Sequence, residues 1–412
     1  MTRAMKDSGI EWIGEIPKDW GYVPLKAYYE FEKGKNAALY TQEYIGENEG
    51  PYPVYSGQTQ DEGIMGRVNS YDYDIKKCLF TTTVGAKVMT PKILTGRFCL
   101  SQNCLIMKQI QQVYDNFIYY LLIPLFDYYK SLIPTYMQPS LRIEDLKSYR
   151  FYLPSIPEQQ KIADFLDEKC SHIDSVLEKV RASIDEYKQL KQSVITQAVT
   201  KGIRPNRPMK DSGIEWIGEI PQDWKVIKGK NVLELLSKPV KETDTVITCF
   251  RDGEVTLRSK RREDGFTISL QEIGYQGIDI GDLVVHGMDG FAGAIGISDS
   301  RGKGTPVLSV LDSKQNKKYL MYYLRAMAFN GVFIALSTGI RVRSCDTSWN
   351  KLKNLPYPIP TEDEQVEIVA YLDDKCSEID KLITKKEQLI AELETYKKSL
   401  IYEYVTGKKE VI

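Results

Sequence analysis

Histidine is nearly absent: only His172 and His286 occur in 412 residues. A metal centre or an acid–base pair built on imidazoles has almost nothing to work with. The seven cysteines (Cys78, Cys99, Cys104, Cys170, Cys249, Cys345 and Cys376) are scattered, odd in number and without a CxxC pair. Neither a disulfide framework nor a structural zinc site is expected, and reduced thiols agree with a reducing compartment. No apolar run approaches a membrane span, and Met1 to Gly9 lacks the apolar core of a secretory leader. A cytoplasmic chain is expected. A surplus of positive charge is missing too, with 55 Lys and Arg against 56 Asp and Glu. A protein gripping nucleic acid by bulk charge would be basic. Here such binding would need local basic patches or partner subunits.

Catalytic signatures are also missing. GISDSRGKGT at 296–305 faintly resembles a phosphate loop. Its glycines at 296 and 302 stand one residue too far apart, and Gly304 replaces the required Ser or Thr. No Ser-His-Asp order and no Asn-Pro-Pro-aromatic or Asp-Pro-Pro-aromatic motif is present. No enzyme activity, bound cofactor or metal is expected of this chain.

What is present is a duplication. Residues 5–20 read MKDSGIEWIGEIPKDW and residues 209–224 read MKDSGIEWIGEIPQDW, differing only at Lys18 and Gln222. LDEKCSHID at 166–174 returns as LDDKCSEID at 372–380. The intervening segments, about 21–145 and 225–351, are largely unlike. The layout is frame, variable cassette and long helix, then the same again. We expect a first cassette domain at 1–153, a long helix at 154–202, a second cassette domain at 203–358 and a second helix at 359–412. The fold class is α+β: two mixed domains separated by two long antiparallel helices in a coiled coil, with a pseudo-two-fold internal repeat.

Residues 158–200 hold no proline or glycine, follow Pro154 and Pro157, and stop before Gly202. This is a helix with ordinary start and stop signals. Its apolar stripe is expected at Ile173, Val176, Val180, Tyr187, Leu190 and Val194. The second helix offers Ile379, Leu382, Leu389, Leu393, Tyr396 and Leu400. These near-heptad steps, with single breaks at Ser183 and Lys386, predict that the helices pair. His172 takes the place of Glu378 in the repeat and reads as a solvated helix position.

The cassettes read as mixed. Lys77 to Leu94 is strand-like with a turn at Gly85, and Gly281 to Ile297 reads as short strands broken by glycines. Phe117 to Leu132 and Lys317 to Leu336 look helical. Candidate DNA-binding residues in the first cassette are Lys33, Lys35, Thr82, Lys87, Gln102, Asn103, Gln138 and Arg142. Those in the second are Arg251, Arg258, Lys260, Arg261, Arg262, His286, Lys303, Arg341 and Arg343. Arg suits two-point bonds to guanine and Asn or Gln to adenine, while Lys and Thr also hold phosphates. The RSKRR cluster at 258–262 stands out.

DSGIEWIGEIPKDW opening each half resembles the start of many specificity subunits of type I restriction–modification systems. So does QPSLRIEDLKSYRFYLPSIPEQQKIADFLDEK, whose copy is LKNLPYPIPTEDEQVEIVAYLDDK. YQGIDIGDLVVHGMDGFAGAIGI is similar to a common target-recognition subtype. The resemblance covers the whole chain. It implies two target-recognition domains, each contacting one half of a bipartite double-stranded DNA site. It implies helices that set the gap and dock two methyltransferase subunits, which carry S-adenosylmethionine. A motor-nuclease subunit using ATP joins where present. The residues alone leave open a coiled-coil adaptor that never meets DNA.

Overall fold

The computed structural model describes residues 3–57, 61–85, 87–261, 272–336 and 347–411. They form two compact units, Met1–Val180 with Gln388–Ile412, and Arg181–Glu387. Each unit takes one cassette and part of each long helix.

The repeated sequence folds the same way in both units. Met5–Asp7 pairs antiparallel with Glu15–Pro17, and Met209–Asp211 with Glu219–Pro221, in the same register. The Asp7 carboxylate accepts from the Gly9 amide at 3.0 Å, and Asp211 from Gly213 at 2.9 Å. Both glycines take positive φ, the conformation that suits glycine in a tight turn. A second strand pair ties each cassette's entry to its exit. Gly21–Pro24 pairs with Arg150–Leu153, and Lys225–Lys228 with Pro356–Ile359.

Between these ties the cassettes diverge. The first holds a six-stranded sheet in the spatial order Tyr29–Lys33, Cys104–Gln109, Tyr73–Thr82, Lys92–Leu100, Glu49–Tyr55 and Ile64–Val68. The second holds a four-stranded sheet in the order Glu234–Leu235, Leu308–Asp312, Leu283–His286 and Ile295–Ile297. Two-stranded pairs add Ile247–Cys249 with Val255–Leu257, and Gln276–Ile278 with Gly302–Gly304. The tyrosine-rich helices Asp115–Ser131 and Lys317–Phe329 join each cassette to a long helix. Tyr120 donates to Asp167 at 2.8 Å, and Tyr322 to Asp373 at 2.8 Å. The helix expected to run to Leu336 stops at Phe329 and restarts at Val332, because Gly331 breaks it with φ +70°.

The long helices are Ile156–Lys201 and Glu362–Val405. Each is locked at its start by a buried glutamine. Gln159 accepts from the Tyr114 amide and donates to the Pro154 carbonyl, both at 2.9 Å. Gln365 accepts from the Asn316 amide at 2.9 Å and donates to the Pro360 carbonyl at 3.1 Å. A charge clasp sits beside each. Arg207 bonds Glu364 and Asp223 and lies over Trp224, whose indole N–H donates to Glu364 at 3.0 Å. Arg3 bonds Glu158 and Asp19 and lies over Trp20.

Within each unit the long helices pack antiparallel. Lys397 bonds Asp174 at 2.7 Å in the first unit, and Lys191 bonds Asp380 at 2.7 Å in the second. These are repeat-equivalent contacts. The buried row of the first helix steps through Leu166, Cys170, Ile173, Leu177 and Ile184. That of the second steps through Leu372, Cys376 and Ile379, then half-buried Ile383, Ile390 and Leu393, to Leu400. Steps of three, four and seven residues make this a heptad seam. It differs from the expected stripe at alternate positions. Leu190 is 48% exposed, Leu382 and Leu389 are 40% exposed and Tyr396 is 57% exposed. Val176 is half-buried beside fully packed Leu177. The seam takes the next residue each time: Leu177, Lys191, Ile383, Ile390 and Lys397. Lysines fit there because the stem packs while the ammonium reaches a carboxylate across the seam. Ile173, Ile379 and Leu400 are buried and Val180, Tyr187, Val194 and Leu393 half-buried, all on the seam row.

Candidate nucleic-acid interface

In the first cassette, backbone bonds draw three distant segments together. The end of the central strand bonds the loop after Leu100 through Thr83 N–H to Asn103 O at 2.8 Å. It bonds the loop after the tyrosine helix through Leu141 N–H to Thr83 O at 2.8 Å, with a bridge from Val84 to Ser140. The result is a concavity of about 540 Å³ that gathers Gln102, Asn103 and Gln138. Tyr40, Thr41, Ser56, Gly57, Val84 and Gly85 help to line it. All three amide side chains belong to exposed residues. Asn103 holds φ +65°, a left-handed turn that asparagine tolerates.

The other candidates of this cassette lie elsewhere. Thr82 is 3% exposed and donates its hydroxyl to the Lys87 carbonyl, so it braces the turn and is closed to phosphate. Lys87 is half-buried on that turn. Lys33 is exposed at a strand end. Lys35 lies 4.8 Å over the Tyr73 ring and 3.9 Å from Glu32. Arg142 is exposed at the start of the short helix Ile143–Ser148.

In the second cassette a concavity of about 780 Å³ gathers Arg251, Arg258, Arg261 and His286. Each cation is held in place. Arg251 bonds Asp289 at 2.8 Å, with its side chain 66% exposed. Arg258 donates from Nε to Thr248 Oγ1 at 2.9 Å. Arg261 bonds Asp252 at 2.6 Å and Glu254 at 2.8 Å, and lies 4.1 Å over the Phe250 ring. His286 Nδ1 accepts from the amides of Met288 at 3.3 Å and Asp289 at 3.0 Å. Its proton therefore sits on Nε2. Burial holds the imidazole below its ordinary range, against the nearby Asp289, so it is neutral at neutral pH.

Lys260 points away, to Ser300 at 2.7 Å, and Lys303 is tied to Glu272 at 2.6 Å. Arg262, Arg341 and Arg343 lie outside the described residues. Sequence reading passed over Thr248, Phe250, Asp252 and Asp289, the side chains that fix the cations. No local signal marked them, because each lies nine or more residues from the arginine it holds.

The model of the type I restriction modification DNA specificity domain matches residues 17–184. The chain is 25% identical over 233 residues to the type I restriction enzyme MjaVIII specificity subunit of Methanocaldococcus jannaschii. That match covers 54% of this chain and 51% of the relative. Residues 17–184 of this chain are thus similar to a type I restriction modification DNA specificity domain. A longer match joins this chain to the EcoDI specificity subunit of Escherichia coli, 22% identical over 389 residues, 86% of this chain and 81% of the relative. The chain spans about half the length of the Methanocaldococcus relative. The fold is that of a chain from a structure describing complex assembly and conformational transition of the type I R-M system. The TM-score is 0.65 at 12% identity, over 96% of this chain and 99% of that one. Among the described residues no helix is long and apolar enough to cross a membrane. The six described cysteines are buried, and burial pushes the Cys78, Cys104 and Cys249 thiols up to about 12. They pack as apolar side chains.

A charge network steadies the second cassette. Arg301 bonds Asp244 at 2.7 Å and Asp279 at 2.6 Å, while Lys238 bonds Asp279 at 2.8 Å and Asp282 at 2.7 Å. Arg301 is thereby a structural cation. Hydrogen bonds from Lys238 and then Arg301 hold the Asp279 carboxyl down to about 2. A carboxylate depressed in the folded state contributes stability above its unfolded value of about 3.9, and that contribution is lost as pH falls toward about 2. Urea midpoints of the protein should therefore drop between about pH 5 and about pH 3, with a shallower drop in Asp279→Asn. Equal slopes in the two proteins would remove Asp279 from the account.

Proposed function

We propose that this subunit addresses its complex to a bipartite double-stranded DNA site, each cassette reading one half. The recognition domains are 1–153 and 203–358. The observation that carries the reading is a frame repeated in the same register, with matching strand pairs, glutamine locks and arginine clasps, around two different polar concavities. Identical mounts with unlike linings suit a device that reads two unlike sequences in equivalent geometry. An adaptor that never met DNA would have no use for divergent, amide- and arginine-lined hollows on one mount. The long helices, 46 and 44 residues, set the gap between half-sites. At about 1.5 Å per residue they are long enough to hold readers about one DNA turn apart. They also dock two methyltransferase subunits, which bring S-adenosylmethionine. An ATP-driven motor-nuclease subunit joins where the system has one. With a formal charge of −1, this chain leaves much of the phosphate contact to those partners.

The test is a map of methylated adenines in DNA exposed to this protein with its methyltransferase subunit. The expected result is two short, unlike half-sites at fixed spacing. Exchanging residues 21–145 for another subunit's cassette should change one half and leave the other and the gap intact. Methylation without such a pattern, or the same pattern without this protein, would favour an adaptor.

A further inference from the structure

We infer that the two concavities read different bases, the first an adenine and the second a guanine. This rests on the reading that each cassette contacts one half-site. The argument is the hydrogen-bonding character of each lining. Gln102, Asn103 and Gln138 each carry a donor and an acceptor side by side. No charged side chain lines that hollow among the described residues. In the major groove adenine shows an acceptor, N7, beside a donor, the N6 amino group. A side-chain amide matches both at once.

The second hollow offers donors. Arg251, Arg258 and Arg261 have no acceptor, and His286 has spent its acceptor, Nδ1, on two backbone amides. The lining carboxylates of Asp252 and Asp289 are engaged by Arg261 and Arg251. Guanine shows two acceptors in the major groove, N7 and O6. Adenine there would set its amino donor against a guanidinium. Phosphate is also acceptor-only, but a phosphate contact needs charge rather than an oriented fork. Asp289 on Arg251, and Asp252 with the Phe250 ring on Arg261, fix the planes of those guanidinium groups.

The experiment uses the full chain assembled with its methyltransferase subunits, after methylation mapping has defined the site and cassette exchange has assigned its halves. Binding is measured on duplexes with each base pair of the site replaced in turn, at several salt concentrations. Arg251→Lys keeps the charge and loses the fork. It should weaken the cognate duplex about tenfold and abolish discrimination at one G·C pair in the second cassette's half. The salt slope should stay as in the unaltered complex. Gln138→Ala should relax one A·T pair in the other half. Base preference retained in Arg251→Lys would make that cation a phosphate contact and overturn the inference. So would relaxation at an A·T pair by Arg251→Lys, or at a G·C pair by Gln138→Ala. A complex with no bipartite preference at all would instead defeat the underlying DNA reading.

Discussion

Leu177→Asp should cost the first unit about 4 kcal/mol or more, while Leu190→Asp should stay within about 0.5 kcal/mol of the unaltered protein. Both are leucines on the same face-forming helix, so the contrast isolates the seam. Leu177 is 4% exposed and belongs to the same hydrophobic core as Ile173, Leu400 and Ile401, whereas Leu190 is 48% exposed. Removing a buried leucine leaves a cavity, and the new carboxylate must be stripped of water without a partner. Against a typical domain stability of about 5–15 kcal/mol that loss is large. Urea titration gives the stability difference. Hydrogen exchange along 156–180 and 388–405 should accelerate in Leu177→Asp alone. The same variant should fail to assemble with methyltransferase subunits or lose the fixed gap between methylated half-sites. Equal effects at the two positions would place the seam elsewhere.

The second large effect lies in the clasps. Glu364→Ala should destabilise the second unit by about 3–5 kcal/mol, because it leaves a guanidinium and an indole N–H short of their acceptor in a dry site. Glu364 is fully buried, and Arg207 keeps only its exposed partner Asp223. The repeat-equivalent Glu158→Ala should cost about 1–2 kcal/mol. The Glu158 side chain is 24% exposed and does not receive the Trp20 indole N–H, which has no hydrogen-bond partner among the described residues. Glu364→Gln should fall between, since an amide keeps an acceptor for Trp224 but not the charge. Thermal unfolding of the three variants checks the order. Comparable losses at Glu158 and Glu364 would mean that burial of the carboxylate does not set the cost.

Much of this was readable from residues alone. The identity of residues 5–20 with 209–224 required the two hairpins to fold alike, because a local turn depends on its own Asp, Ser and Gly. The absence of proline and glycine over 158–200 required a helix, since backbone propensity and capping act within a few residues. The same logic made a stripe on each helix visible, yet misplaced alternate positions by one residue. Val176 and Leu177, Leu382 and Ile383, and Leu389 and Ile390 are adjacent apolar pairs, and periodicity cannot choose between neighbours. The choice falls to the packing partner, and at Lys191 and Lys397 to a carboxylate on the other helix.

The concavities were less legible still. Gln102, Asn103 and Gln138 meet because strand and loop backbones bond across 83–141, and no local pattern encodes that pairing. Thr82 has the right chemistry for phosphate, but its hydroxyl is turned inward by the Lys87 carbonyl. Arg301 resembles its neighbours in sequence, yet Asp244 and Asp279 make it structural. Sequence determined the duplication, the helices and the kinds of side chain available to read DNA. Tertiary structure decided which of them face a common hollow, because long-range contacts settle orientation and burial while residue type settles only chemistry.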